Sequence, residues 1–311
     1  MKDTLIGIEI GGTKLQVVLG ENPQKILKRH RYAVDKKKGA AGIRSQIEDG
    51  VKRLLSDHTI SGIGVGFGGP FNIQTGKVSC SHHIEGWNDF EIKPWLEEIA
   101  HCPITIDNDA NTASLGEALY GAGKGANPAF YVTLGSGVGG GLVIDGNIYH
   151  GAPPGESEIG HIRLDKSGRI VESSCSGWAV DGKIRALKET DPDSHLCQLI
   201  SDDVTGGEAK FLHAALEQND PAAIRILEET ADDLAFGLSH VGNLLHPSII
   251  VLGGGLALLG EPLRKAVEKA IPPYLMNSFS PGPKIALTEL GEDPVIIGAL
   301  ELARRKGLTE N

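Results

Sequence analysis

Residues 105–111 read Thr-Ile-Asp-Asn-Asp-Ala-Asn, residues 133–141 read Thr-Leu-Gly-Ser-Gly-Val-Gly-Gly-Gly, and residues 156–161 read Glu-Ser-Glu-Ile-Gly-His. The first stretch is a strand running into the acids and amides that favour a helix start. The second is a strand broken by a glycine turn, and the third is a polar turn. Working outward, the same grammar recurs. Leu5 to Ile10 reads as a strand, Gly11-Gly12-Thr13-Lys14 as a tight turn and Leu15 to Leu19 as the return. Ala129 to Leu134 is a strand, Gly135 to Gly140 a glycine turn and Gly141 to Ile144 the return, with Asp145-Gly146 signalling another hairpin. The recurrence predicts two related halves facing a shared cleft, a duplication carried by pattern rather than identity.

Helices are expected between the strands. Ile43 to Leu55 is amphipathic, with apolar residues at 43, 47, 51, 54 and 55. Ala110 to Tyr120 is a helix stopped by Gly121, Ala222 to Leu245 one closed by His246-Pro247, and Val295 to Arg305 a final helix. Ile60 to Val65, Ile104 to Ile106 and Ile249 to Leu252 read as buried strands. The alternation gives an α/β fold. The domain change is placed near residue 115, giving a smaller domain of residues 1–115 plus 294–311 and a larger one of 116–293.

The chain has 311 residues, of which 23% are charged and 42 are glycine. That composition is globular rather than disordered. Its formal net charge is −10, with acids and bases mixed. Nucleic-acid binding wants a basic patch, whereas the run Lys36-Lys37-Lys38 reads as a solvated loop. No stretch approaches the 18 or so apolar residues of a membrane span, and a strand begins by Leu5, so a cytoplasmic protein is expected. Cys80, Cys102, Cys175 and Cys197 are widely spaced and are expected to be free thiols. Cys80 with His82 and His83 fits no common metal-site spacing.

Two stretches match G-x-G-x-x-G, at 135–140 and 64–69. A dinucleotide fold needs a helix directly after that turn. A strand follows the first match and Pro70 interrupts the second, which excludes a Rossmann reading. A glycine turn between strands still exposes consecutive backbone N–H groups to an anion. A plain hairpin would explain either turn alone. The pair, with a third glycine turn at Gly253-Gly254-Gly255, points instead to nucleotide phosphates. Asp109, where a strand ends and a helix begins, is either a helix cap or a general base for an attacking hydroxyl. The neighbouring Asn108 amide could meet sugar hydroxyls. Glu158 and His161 lie three apart, so one helical turn would set them side by side, an arrangement that suits a vicinal diol.

The motifs at 11–14 (Gly-Gly-Thr-Lys), 108–111 (Asn-Asp-Ala-Asn), 133–141, 158–161 (Glu-Ile-Gly-His) and 251–255 (Val-Leu-Gly-Gly-Gly) together resemble the ROK family of sugar kinases and sugar-responsive repressors. The resemblance implies an actin/hexokinase-type fold, with two RNase H-like domains, and an ATP- and Mg²⁺-dependent hexose 6-kinase, most often acting on glucose. N-acetylmannosamine, N-acetylglucosamine, mannose and fructose are the other acceptors it implies, and a non-catalytic sugar sensor is the other class. Carried over by motif, Asp109 is the catalytic base, and Asn108, Glu158, His161 and Glu172 are sugar ligands. Gly69 matches a feature near the sugar. Gly11, Gly12, Thr13, Lys14, Thr133, Gly135 and Gly137 fall at phosphate positions, and Gly254 and Gly255 at adenosine positions. Homodimers are common in such folds.

The departures from the family pattern carry expectations of their own. The family's zinc loop, C-x-C-G-x-x-G-C, is missing: only ten residues separate His161 from Glu172, none of them cysteine. No zinc is therefore expected, packing and hydrogen bonds must hold the loop, and polyphosphate becomes an alternative donor. Glu9 replaces the usual Asp and is expected to touch Mg²⁺ only through water, an ion that demands a strict octahedron. Gly68 stands for the usual Pro, and Ser157 for the usual Gly.

Overall fold

The computed structural model describes residues 4–309 except 13, 70, 73–75, 79–85, 153–156 and 202. Thr13, Pro70, Cys80, His82 and His83 therefore lie outside the described residues. The chain divides into two compact units. The first comprises Met1–Gly125, Gly141–Glu156 and Leu290–Asn311, and the second Ala126–Gly140 and Ser157–Glu289.

The first unit is built on strands β1 (Thr4–Ile10), β2 (Lys14–Asn22), β3 (Lys25–Ala33), β4 (Ile60–Phe67) and β5 (Ile104–Asn108), in the sheet order β3-β2-β1-β4-β5. The first three form an antiparallel meander, and β4 and β5 run parallel to β1. Strand alternation sorts the residues between two cores. Ile6, Ile8 and Ile10 pack with Ile43, Ile47, Val51 and Leu54 of helix α1 (Gly39–Leu55) and with Ile92 and Leu96 of helix α2 (Ile92–Ala100). On the opposite face, Leu5 and Val18 pack with Ile296, Leu300 and Ala303. Lys36–Lys38 form a 3-10 turn leading into α1, so the helix begins at Gly39 rather than at Ile43, where its apolar pattern starts.

The alternation in β4 is glycine against bulk. Ile63, Val65 and Phe67 are buried on the α1 face. Gly62, Gly64 and Gly66 face helix α8 (Pro294–Thr309). A Cβ on Gly64 would overlap the Ala299 carbonyl oxygen, and one on Gly62 would sit 2.9 Å from the Ala303 oxygen. Helix α8 thus lies directly on the sheet backbone. It crosses helix α3 (Asp109–Tyr120) as closely, since a Cβ on Gly298 would overlap the Thr112 carbonyl oxygen. Gly64 and Gly66, the first two glycines of the G-x-G-x-x-G match at 64–69, therefore serve helix docking.

The second sheet comprises β6 (Ala129–Leu134), β7 (Val138–Ile144), β8 (Asn147–Ile148), β9 (Ile249–Gly253) and β10 (Lys284–Leu287). Its order, β8-β7-β6-β9-β10, repeats that of the first sheet, and β6, β9 and β10 are parallel. The duplication read from glycine turns is therefore present in the topology, and the fold is the actin/hexokinase-type α/β fold. Strand β7 starts at Val138, so the glycine turn is limited to 135–137 rather than reaching Gly140. Asp145 and Gly146 both take positive φ, 50° and 74°, which turns β7 back into β8. The second unit also carries α4 (Val171–Cys175), α5 (Gly177–Thr190), α6 (Pro221–Leu245) and α7 (Glu261–Ala270). Among the described residues no helix is long and apolar enough to cross a membrane.

Candidate active site

In the first unit, β5 ends at Asn108 and α3 begins at Asp109. Asn108 is extended (φ −61°, ψ 146°), and its Oδ1 accepts from Ala110 N at 2.8 Å and from Asn111 N at 3.3 Å. Asn108 therefore caps the helix through Oδ1, and its Nδ2 takes no part in the cap. Asp109 Oδ1 accepts from Ala110 N at 2.8 Å. Its Oδ2 faces the end of β4, where a Cβ on Gly68 would lie 2.9 Å away. Gly68 N donates to Ile10 O at 2.7 Å and Gly69 N to Phe67 O at 3.1 Å, so the ends of β1, β4 and β5 converge on this carboxylate.

Glu9 stands near the end of β1. Its Oε2 accepts from Gln16 Nε2 at 2.6 Å and lies 3.5 Å from Lys14 Nζ. Burial pushes its carboxyl above the ordinary range; Lys14 and Gln16 pull it back, and the charge of Asp109 adds to the rise. The two carboxylates therefore sense one another. Gly11 N donates to Lys14 O at 2.9 Å to close the β1–β2 turn, and Lys14 Nζ donates to Glu292 O at 2.9 Å. A side chain on Gly12 would meet nothing within 4 Å. Protein packing does not require glycine there, which leaves room for a ligand against the backbone.

The second unit holds the other candidates. Gly135 N donates to Gly137 O at 2.9 Å, and Gly177 N donates to Gly135 O at 2.7 Å. Glu172 Oε2 accepts from Val138 N at 2.9 Å and lies where a Cβ on Gly137 would come within 2.5 Å of it. A carboxylate that the resemblance makes a sugar ligand thus also grips the glycine turn. Glu158 precedes and His161 ends a single 3-10 turn, Ile159–His161, and both residues are exposed. The i, i+3 spacing of that turn stacks them on one side. Thr133 is half-buried at the end of β6.

Between His161 and Glu172 the chain folds into a small hairpin. Leu164 N donates to Arg169 O at 2.8 Å and Val171 N to Ile162 O at 3.0 Å. Asp165 Oδ1 accepts from Ser167 N at 2.8 Å and Gly168 N at 3.0 Å. Hydrogen bonds from Ser167 and Arg169 hold the Asp165 carboxyl well below its usual range. Arg169 also reaches Asp233 of α6 at 3.2 Å. These contacts brace the loop. Among the described residues no group of three or more His, Cys, Asp or Glu side chains is placed to hold a metal ion.

A cavity of about 440 Å³ opens in the second unit, walled by Gly135, Ser136, Trp178, Lys210, Gly255 and Leu258. Its size suits a small organic ligand. Gly254 beside it has φ 81°, and a Cβ there would sit 2.6 Å from the Leu134 backbone. Gly135 and Gly255 were legible in the sequence, whereas Trp178 and Leu258 were not. They are 57% and 81% exposed and both line the cavity. Asp181 closes the wall by accepting from Gly207 N at 3.0 Å and Ala209 N at 2.7 Å.

Glycine turns, a strand-end aspartate and the repeated sheet order define a sugar-kinase-like α/β protein. The ROK family model matches residues 5–306. The chain is 32% identical to a glucokinase of Halalkalibacterium halodurans, over 97% of this chain and 95% of that protein. It is 29% identical to a glucokinase of Streptomyces coelicolor, over 96% and 97%. The crystal structure of a ROK family glucokinase from Streptomyces griseus in complex with glucose and AMPPNP superposes with a TM-score of 0.85 at 28% identity, covering 97% of this chain and 99% of that one. The chain belongs to the ROK family.

Proposed function

We propose that this protein is an ATP- and Mg²⁺-dependent hexose kinase that phosphorylates the 6-hydroxyl, with glucose the first acceptor to test. The observation that carries the reading is Asp109, at a strand end where the neighbouring Asn108 supplies the helix cap and Gly68 lies beside the second carboxylate oxygen. Asp109 takes the hydroxyl proton as the sugar oxygen bonds to the γ-phosphorus and ADP leaves. Asn108, Glu158, His161 and Glu172 hold the sugar. Gly11, Gly12, Lys14, Thr133, Gly135 and Gly137 meet the phosphates, and the cavity beside Trp178, Gly254 and Gly255 takes the adenosine. Phosphoryl transfer asks a protein mainly for positioning and charge stabilisation.

The oxygen donors of Glu9 and Asp109 suit Mg²⁺ held largely by water and phosphates. The ion would neutralise charge on the transferred group. Glu9, already bound to Gln16 and near Lys14, would reach it through water. That engagement also favours a second reading, a sugar-binding protein without turnover.

An ADP-release screen across hexoses and their N-acetyl derivatives, with ATP and polyphosphate as parallel donors, separates the two. Asp109→Asn should keep sugar affinity and lower kcat by about 10²–10⁴-fold. Near-normal kcat in that variant would remove Asp109 from the role of base.

A further inference from the structure

Strand β5 leads into the candidate base and, among the described residues, is the edge of its sheet, with β4 beside it. Among the described residues, no strand on its outer side fixes where it ends. Asp107, one residue before the cap, is 3% exposed. Its Oδ1 accepts from Asn108 N at 2.8 Å and Asn111 Nδ2 at 3.1 Å. Both donors belong to the turn that presents Asn108 and Asp109. Its Oδ2 is 2.8 Å from His150 Nε2, and no other donor among the described residues reaches it. His150 comes from the chain just beyond β8, within the same unit.

A buried carboxylate keeps its place only while its oxygens are paired. Without His150, half of Asp107 would lose its partner, and the carboxylate would turn toward solvent or other donors. The bonds to Asn108 N and Asn111 Nδ2 would be strained in the same movement. A catalytic group tolerates little displacement, since about 1 Å can cost roughly 100-fold in rate.

We propose that His150 is a positioning residue for the kinase reaction, on which reading this inference rests: through Asp107 it fixes the turn bearing Asn108 and Asp109.

The test is steady-state kinetics on His150→Ala, His150→Asn, His150→Gln and Asp107→Asn, with melting temperatures in parallel. His150→Ala should lower kcat about 10–100-fold and leave the KM for ATP within about twofold. His150→Gln, whose amide can still reach Asp107, should recover most of the loss. His150→Asn, with the same amide on a shorter arm, should not. Combining His150→Ala with Asp107→Asn should add little to either loss, because the two act as one unit. The inference fails if His150→Ala keeps wild-type kcat per folded molecule, if Gln and Asn behave alike, or if the Asp107 and His150 losses simply add. A wild-type protein inert toward every hexose would sink the kinase reading and this inference with it. An active wild type with unaffected His150 variants would sink this inference alone.

Discussion

The substitution Gly64→Ala tests how the first unit is assembled. A Cβ at residue 64 would overlap the Ala299 carbonyl oxygen and lie 2.7 Å from Ala299 C and 3.0 Å from Ala303 N. The obstacle is helix backbone, so no rotamer change relieves it. Helix α8 must retreat by roughly 1 Å or more, and even a gap of that size forfeits a quarter to a half of a contact's attraction. Ile296, Leu300 and Ala303, all fully buried, would loosen together from Leu5 and Val18. Overpacking by a methyl costs about 1–3 kcal/mol where side chains can yield; here we expect roughly 3–4 kcal/mol. Because Gly298 packs on Thr112 of α3, the shift should also reach the helix that Asp109 begins, lowering kcat in the folded fraction. Urea unfolding measures the first effect and initial rates the second. The control is Gly182→Ala in α5, where a new Cβ meets nothing within 4 Å and a helical alanine should stabilise by about 0.5–1 kcal/mol. If Gly64→Ala unfolded within about 1 kcal/mol of wild type, the docking argument would be refuted.

Two further outcomes follow from the geometry. Trp178→Ala should raise the KM for ATP roughly 5–30-fold with kcat little changed, since stacking on a base contributes about 1–2 kcal/mol; initial rates over an ATP series check it, and an unchanged KM removes Trp178 from the adenosine wall. Burial pushes the Glu301 carboxyl up, but hydrogen bonds from Arg304, Tyr120 and Arg305 outweigh it and bring it down to about 2, below the ordinary 4.5. A depressed carboxyl stabilises the fold in full above about pH 4.5 and loses that contribution as pH falls toward 2. The stability gap between wild type and Glu301→Gln, followed by urea unfolding, should therefore narrow on acidification; a gap that widened would contradict the assignment.

What the sequence disclosed follows from which forces are local. Strand–glycine–strand patterning exposed the meander and the second sheet, because tight turns need glycine wherever they occur. Strand β3 escaped notice because Lys25, Lys28, Arg29 and Arg31 give an exposed edge strand the composition of a loop. Gly64 and Gly66 fell in a G-x-G-x-x-G match, but their helix-docking role was hidden because sequence does not reveal which atoms press on a missing side chain. Asn108 and Asp109 were adjacent candidates for cap and base, and only the φ/ψ values and bonds divide the roles. The bond of Arg169 to Asp233 and the grip of Glu172 on Val138 join residues 64 and 34 positions apart, pairings that no local pattern encodes. Trp178 acquires meaning only beside Leu258 and Gly255, which the fold brings to it.

Because α8 follows the whole second unit in the chain, the ribosome releases β1 to β5 long before the helix that covers their glycine-lined face. During synthesis that face has no native cover. The earlier-made half must therefore wait, shielded by other proteins or by loose collapse, until the later half has emerged and the closing helix can settle.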